Sequence, residues 1–203
     1  MRYGTDGFLW RWFGKIGEFL GLSLLWLLCC IPVLTIAPAG IALYDSIAHC
    51  VRGDEPGPYR RFFKTLKQEL LRGILISLLW LVLGAVFVVG YNVLYQWGKE
   101  NQFAAIYSLV YAGTMLIPMG VLCWLLPIES RFAYGFWALH KTALTYTIVH
   151  LPTTAAILGF LILGVVAIAV MPVFLVLMPA IIVTLQSWLI EKVFKLYTPE
   201  TEE

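Results

Sequence analysis

The sequence predicts an all-α, polytopic helical membrane protein with about six transmembrane helices. Three observations carry that reading. Of 203 residues, 61% are hydrophobic and only 13% are charged, against roughly 45–50% and about 25% in a soluble domain. The charges also leave long gaps: residues 19–44, 73–98, 101–128 and 142–190 contain none. Finally, the few positive charges cluster between those gaps rather than within them. A soluble fold would need far more Lys, Arg, Asp and Glu to cover its surface. High apolar content with a net charge of only +2 excludes disorder.

A bilayer core is crossed by about 20 apolar helical residues, so the intervals 73–98 and 101–128 each hold one span. The interval 142–190 is long enough for two, and Pro172 near its middle marks a tight turn. Runs such as Leu78-Leu79-Trp80-Leu81-Val82-Leu83 do not alternate in polarity, which rules out β-barrel strands. The expected spans are about 17–34, 37–51, 73–94, 103–126, 153–170 and 173–190, in a single transmembrane domain covering 1–203.

The first two spans form a proline-broken hairpin around Pro32 and Pro38. Charge placement selects this over one long crossing. With a hairpin, both termini face inside and 13 of the 14 Lys and Arg residues lie on that face, leaving only Lys99 outside. The second arm is short, and so reads as a short or partly re-entrant helix. Ala37-Pro38-Ala39 before Gly40 loosely imitates a signal-peptide cleavage site, but Pro38 beside the cut and the long basic start argue against cleavage.

Outside the bilayer the expected pieces are small. Segments 2–16 and 57–72 read as cytoplasmic amphipathic helices. In the second, Phe62, Phe63, Leu66 and Leu70 form one stripe, and Arg60, Arg61, Lys64 and Lys67 form the other. The turn before it is Gly53-Asp54-Glu55-Pro56-Gly57-Pro58. A third cytoplasmic stretch covers about 129–150.

Asp45 and His49 share a helix face at i, i+4 inside the second arm. An ionisable residue at membrane depth is a functional candidate, so this pair is either a relay or an interfacial contact in which Asp45 pairs with a neighbouring helix. Arg52 nearby favours the interface. Arg60, Arg61, Phe62, Phe63, Lys64, Lys67, Glu129 and Arg131 are the candidate contacts for a partner or for lipid headgroups. Cys29, Cys30, Cys50 and Cys123 lack metal-ligand spacing and read as small buried hydrophobes. Pro38-Ala39-Gly40 and Gly84-Ala85 are small enough for close helix approach. No nucleotide-binding, hydrolase or zinc-protease motif is present. The expectation is therefore no enzyme, no catalytic residue, no metal, no cofactor and no nucleic-acid partner.

Several stretches resemble a known family. They are Leu27 to Ala39, Ala42-Leu43-Tyr44, Val51-Arg52-Gly53, Arg61-Phe62-Phe63-Lys64 with Leu66-Lys67, Glu129-Ser130-Arg131-Phe132 and Glu191 to Tyr197. In that order they look like the YesL-like bacterial integral membrane proteins, whose activity is not established. Ala37 departs from the glycine often found there, which alters only local backbone freedom. The resemblance implies a multi-pass protein of the bacterial cytoplasmic membrane linked to carbohydrate uptake. Its expected role is a non-catalytic accessory subunit of an ABC-type importer, with permease and ATPase subunits as partners beside the lipid bilayer. The alternative is a small stand-alone transporter or channel, or a homo-oligomer, with its path lined by the first hairpin.

Overall fold

The computed structural model describes residues 8–51, 55–99, 102–132 and 134–197. Among them are nine α-helices and no strand: α1 (Phe8–Cys29), α2 (Ile36–Ser46), α3 (Pro58–Gln68), α4 (Leu70–Gly98), α5 (Gln102–Thr114), α6 (Leu116–Arg131), α7 (Phe136–Val149), α8 (Leu151–Val170) and α9 (Phe174–Tyr197). The fold is all-α. Five segments are long and apolar enough to cross a membrane: Val33–Cys50, Leu70–Gly98, Ile106–Arg131, Leu151–Val170 and Phe174–Tyr197. A sixth, Gly17–Cys29, is apolar but shorter.

Local chemistry explains where the helices break. Residues 30–32 end α1, and Thr35 closes the turn by donating its hydroxyl to the carbonyls of Cys29 and Pro32. A single 3-10 turn, Val33–Thr35, leads into α2. Pro38 is tolerated because it lies in the first turn, where backbone N–H groups have no intrahelical acceptor. Gly57 takes a left-handed backbone (φ 86°), and Pro58 then starts α3. Pro118 cannot donate to the carbonyl one turn back, so the helix opens at Met115 between α5 and α6. Met171-Pro172-Val173 turns α8 into α9, where the sequence places a turn.

Two expected boundaries shift. The amphipathic segment 57–72 is helical as α3 only to Gln68, and Leu70 already belongs to the long apolar α4. The stretch 129–150, to which the sequence reading assigns no element, is mostly helical: α7 occupies most of it and buries Leu139, Ala143 and Thr147. Residues 2–7 of the first amphipathic segment lie outside the described residues, while 8–16 continue into α1.

The centre of the molecule is α2, its shortest apolar helix. Every residue of α2 from Ala37 to Ser46 is buried. One of its faces joins a core with Ile76, Trp124, Leu125 and Ile128, through Ala37 and Tyr44. The other joins Leu22 and Phe62 through Ala42, Leu43 and Ile47. The small residues Ala37, Ala39, Gly40 and Ala42 make this position possible, because helices in lipid associate by close packing rather than by hydrophobic exclusion. At the crossing with α4, a side chain on Gly73 would lie 2.6 Å from the Pro38 ring and 2.8 Å from its backbone nitrogen. Gly40 sits less tightly, with the position of its Cβ 2.9 Å from the Leu126 side chain. At Gly84 nothing lies within 4 Å of the position its Cβ would take, so the Gly84-Ala85 pair makes no close approach.

Two serines each accept a buried backbone N–H from a neighbouring helix. The Ala37 N–H, at the start of α2, donates to Ser77 Oγ on α4 at 3.0 Å. Pro179 interrupts the α9 ladder, and the next N–H, that of Ala180, donates to Ser23 Oγ on α1 at 3.0 Å. Both bonds are buried, so they join helices where an unpaired backbone group in lipid is costly.

Candidate functional site

The chain gathers most of its ionic chemistry at one end of the bundle. Beyond Ser46, α2 continues as a π-helical stretch, Ile47–Val51, carrying His49 and Cys50. After Gly57, α3 runs back across the end of α2. Arg61 on α3 meets Asp45 with two prongs, Nε to Oδ2 at 2.8 Å and Nη2 to Oδ1 at 3.0 Å. Thr65, one turn further on, donates to Oδ2 at 2.7 Å. His49 Nδ1 lies 3.1 Å from both Oδ1 and the Asp45 carbonyl. The third arm of Arg61 reaches Glu55 Oε2 at 2.7 Å. The Asp45 side chain is 6% exposed and that of Arg61 30%. The hydrogen bond to Asp45 pushes the Arg61 pKa above its ordinary value, with help from the charges of Asp45 and Glu55. Arg61 is thus a permanent cation, bound to Asp45 by two parallel hydrogen bonds.

Beside this pair lies an open polar cavity of about 490 Å³, lined by Asp45, Glu55, Arg60, Arg61, Lys64 and Glu69 among others. Arg60 and Lys64 are exposed at its wall. Two further ion pairs tie the neighbouring helices. Arg72 Nε on α4 meets Glu129 Oε1 on α6 at 2.7 Å, and Arg72 also donates to the Tyr134 carbonyl. Arg131 pairs with Glu191 on α9, which also accepts from the Tyr44 hydroxyl at 3.3 Å.

Part of this cluster falls within a match to a family model. Residues 19–91 match the model described as Protein of unknown function, DUF624. That family is the YesL-like one expected from the sequence. The matched region runs from α1 through most of α4, and so contains Tyr44, Asp45, His49, Arg61, Thr65 and Arg72, but not Glu129, the partner of Arg72, or Glu191, the partner of Tyr44. No curated protein and no solved structure matches the chain.

The structure sorts the sequence-predicted contacts into two groups. Arg60, Phe63, Lys64 and Lys67 are exposed. Phe62 is fully buried between α1 and α2, and the Glu129 side chain is 1% exposed. Neither is available to a partner. Arg61 is committed to Asp45, and Arg131 to Glu191. Glu129 and Arg131, two residues apart and read together in the sequence, instead bind separate helices, because side chains at that spacing on a helix point in different directions. Sequence reasoning missed that Arg61 is the partner of Asp45, since sixteen residues and a turn separate them. The available signal was an Arg opposite Phe62 on a helix too amphipathic to enter the bilayer.

Proposed function

We propose that this chain is a non-catalytic accessory subunit of an ABC-type carbohydrate importer, spanning the bacterial cytoplasmic membrane six times with both termini inside. The observation that carries this reading is the α4–α5 hairpin. The three buried residues of α4, Gly73, Ile76 and Ser77, all precede Leu78. Beyond them α4 leans on α5, with Phe87 against Tyr111 at 5.7 Å between ring centroids. Val82, Val86, Val89 and Val93 are exposed, as are Ile106, Leu109 and Val110 on α5. The hairpin is a two-helix arm with apolar faces for lipid and for partner helices. The carbohydrate importer enters through the YesL-like resemblance.

A stand-alone transporter would use the Asp45–His49 pair as a relay. Asp45 instead has both oxygens engaged by Arg61 and Thr65, a lock between α2 and α3 that supports a structural role.

Gentle solubilisation from the native membrane tests the proposal. The expected result is recovery of permease helices with this chain, and their loss when Val82, Val86 and Val89 are all changed to Phe. Repeated recovery of the chain alone would count against it, and sugar flux in vesicles holding only this protein would favour the transporter.

A further inference from the structure

A second cavity, of about 500 Å³, lies among α2, α4, α6, α8 and α9. Its wall is almost entirely apolar, with Gly40, Leu126, Leu161, Ile168 and Val183 among its residues. Its mouth is edged by the exposed side chains of Val33, Leu81, Val165 and Leu175. Two polar groups break the apolar lining. Gln186, 8% exposed, has its Nε2 buried without a hydrogen-bond partner among the described residues, and so has Trp80 Nε1. The other polar groups on the wall are engaged: Ser77 accepts from Ala37, and Tyr44 donates to Glu191.

We propose that this cavity is a binding site for one acyl chain of a glycerolipid, with the ester carbonyl accepting from Gln186 and Trp80. This goes beyond the subunit role and does not depend on it.

Shape, chemistry and depth each favour that occupant. The lining residues of α9 run from Leu175 to Gln186, about 16 Å of helix, so the site is long and narrow. A transmembrane helix, about 10 Å across and 30 Å long, occupies on the order of 2,000 Å³ and is too large. A sugar brings many donors and acceptors to a wall that offers two free N–H groups, whereas an ester brings acceptors alone. Depth agrees as well. Gln186 is five residues, or about 7.5 Å of helix, from Glu191 in its pair with Arg131. Trp80 is eight residues, or about 12 Å, from Arg72 in its pair with Glu129. Gln186 lies just inside the belt of ion pairs, near where the headgroup region gives way to hydrocarbon, and Trp80 lies deeper in the same half of the bilayer. An unpaired donor at that depth is costly, and a lipid ester relieves the cost.

The test is native mass spectrometry of the full chain in mild detergent. The probes are dioleoyl phosphatidylglycerol and its dialkyl ether analogue, which lacks the carbonyls. The unaltered chain should retain the ester lipid roughly two- to tenfold better than the ether, the range of one net hydrogen bond. Gln186→Leu should weaken that preference, and Gln186→Leu combined with Trp80→Phe should erase it, while both variants still hold both lipids. Val165→Phe, which narrows the mouth, should reduce retention of both, and Ile148→Phe, exposed and away from the cavity, should change neither. Equal retention of ester and ether by the unaltered chain would overturn the proposal, whatever the variants do. Undiminished retention by Val165→Phe would overturn it too.

Discussion

Arg61 and Asp45 stand on different helices and are joined by two hydrogen bonds of 2.8 and 3.0 Å. The pair fastens amphipathic α3 across the end of buried α2. Asp45→Ala leaves a half-buried guanidinium without its carboxylate, and should destabilise the protein by about 3 kcal/mol. Asp45→Asn, which keeps one acceptor, should cost less. Thermal unfolding in detergent measures both. Because the Arg61 pKa is raised in the folded state, its contribution is present below its ordinary pKa and is lost only as pH climbs through the higher folded value. The cost of Asp45→Ala should therefore be the same at about pH 7 and about pH 10.

Gly73 is the place where α4 meets the backbone of α2. An added methyl would collide with Pro38, whose ring and nitrogen cannot swing aside. Gly73→Ala should lower stability by about 1–3 kcal/mol, as overpacking does. Gly84→Ala meets open space and should stay within about 0.5 kcal/mol of the unaltered chain. A melting series on the two variants separates a packing glycine from a lipid-facing one.

Ser23 and Ser77 each accept a buried backbone N–H from a neighbouring helix. Ser23→Ala and Ser77→Ala remove only an oxygen, yet each orphans a donor at membrane depth, with an expected cost of about 1–3 kcal/mol. Hydrogen exchange at Ala180 and Ala37 should rise in the matching variant alone.

The exposed cations of α3 should behave differently from Arg61. Changing Arg60, Lys64 and Lys67 together to Gln should leave the melting temperature unchanged, since no ion pair joins them to the described residues. The same change should reduce enrichment of anionic lipid around the protein, by about 1 kcal/mol of attraction per residue removed. Lipid analysis of nanodiscs containing phosphatidylglycerol and phosphatidylcholine reads this out.

Much of the architecture is legible in the chain because it follows from one-dimensional rules. Charge-free gaps mark the apolar helices, Pro172 marks the last turn, and Gly57-Pro58 marks the start of α3. The candidate site is less legible. Phe62 and Phe63 are equivalent in the linear pattern, yet one is fully buried against Leu22 and the other is 52% exposed. A helix face facing lipid and one facing protein are both apolar, so hydropathy cannot rank them. The same ambiguity hides the cavity, since a wall of Leu, Ile and Val reads like any other span.

By itself, then, the sequence determined the helical class, the order of the apolar segments and the sorting of its few positive charges. Those properties depend on local composition and on the energetic exclusion of charge from hydrocarbon. Only the tertiary structure decided that α2, the shortest apolar helix, sits at the centre, that Asp45 belongs to Arg61, and that Glu129 and Arg131 bind separate helices. Pairing depends on which helices cross and at what depth, and crossing depends on small residues such as Gly73 meeting Pro38 in three dimensions. The charges that marked the ends of the spans in sequence are the ones that join the helices in space.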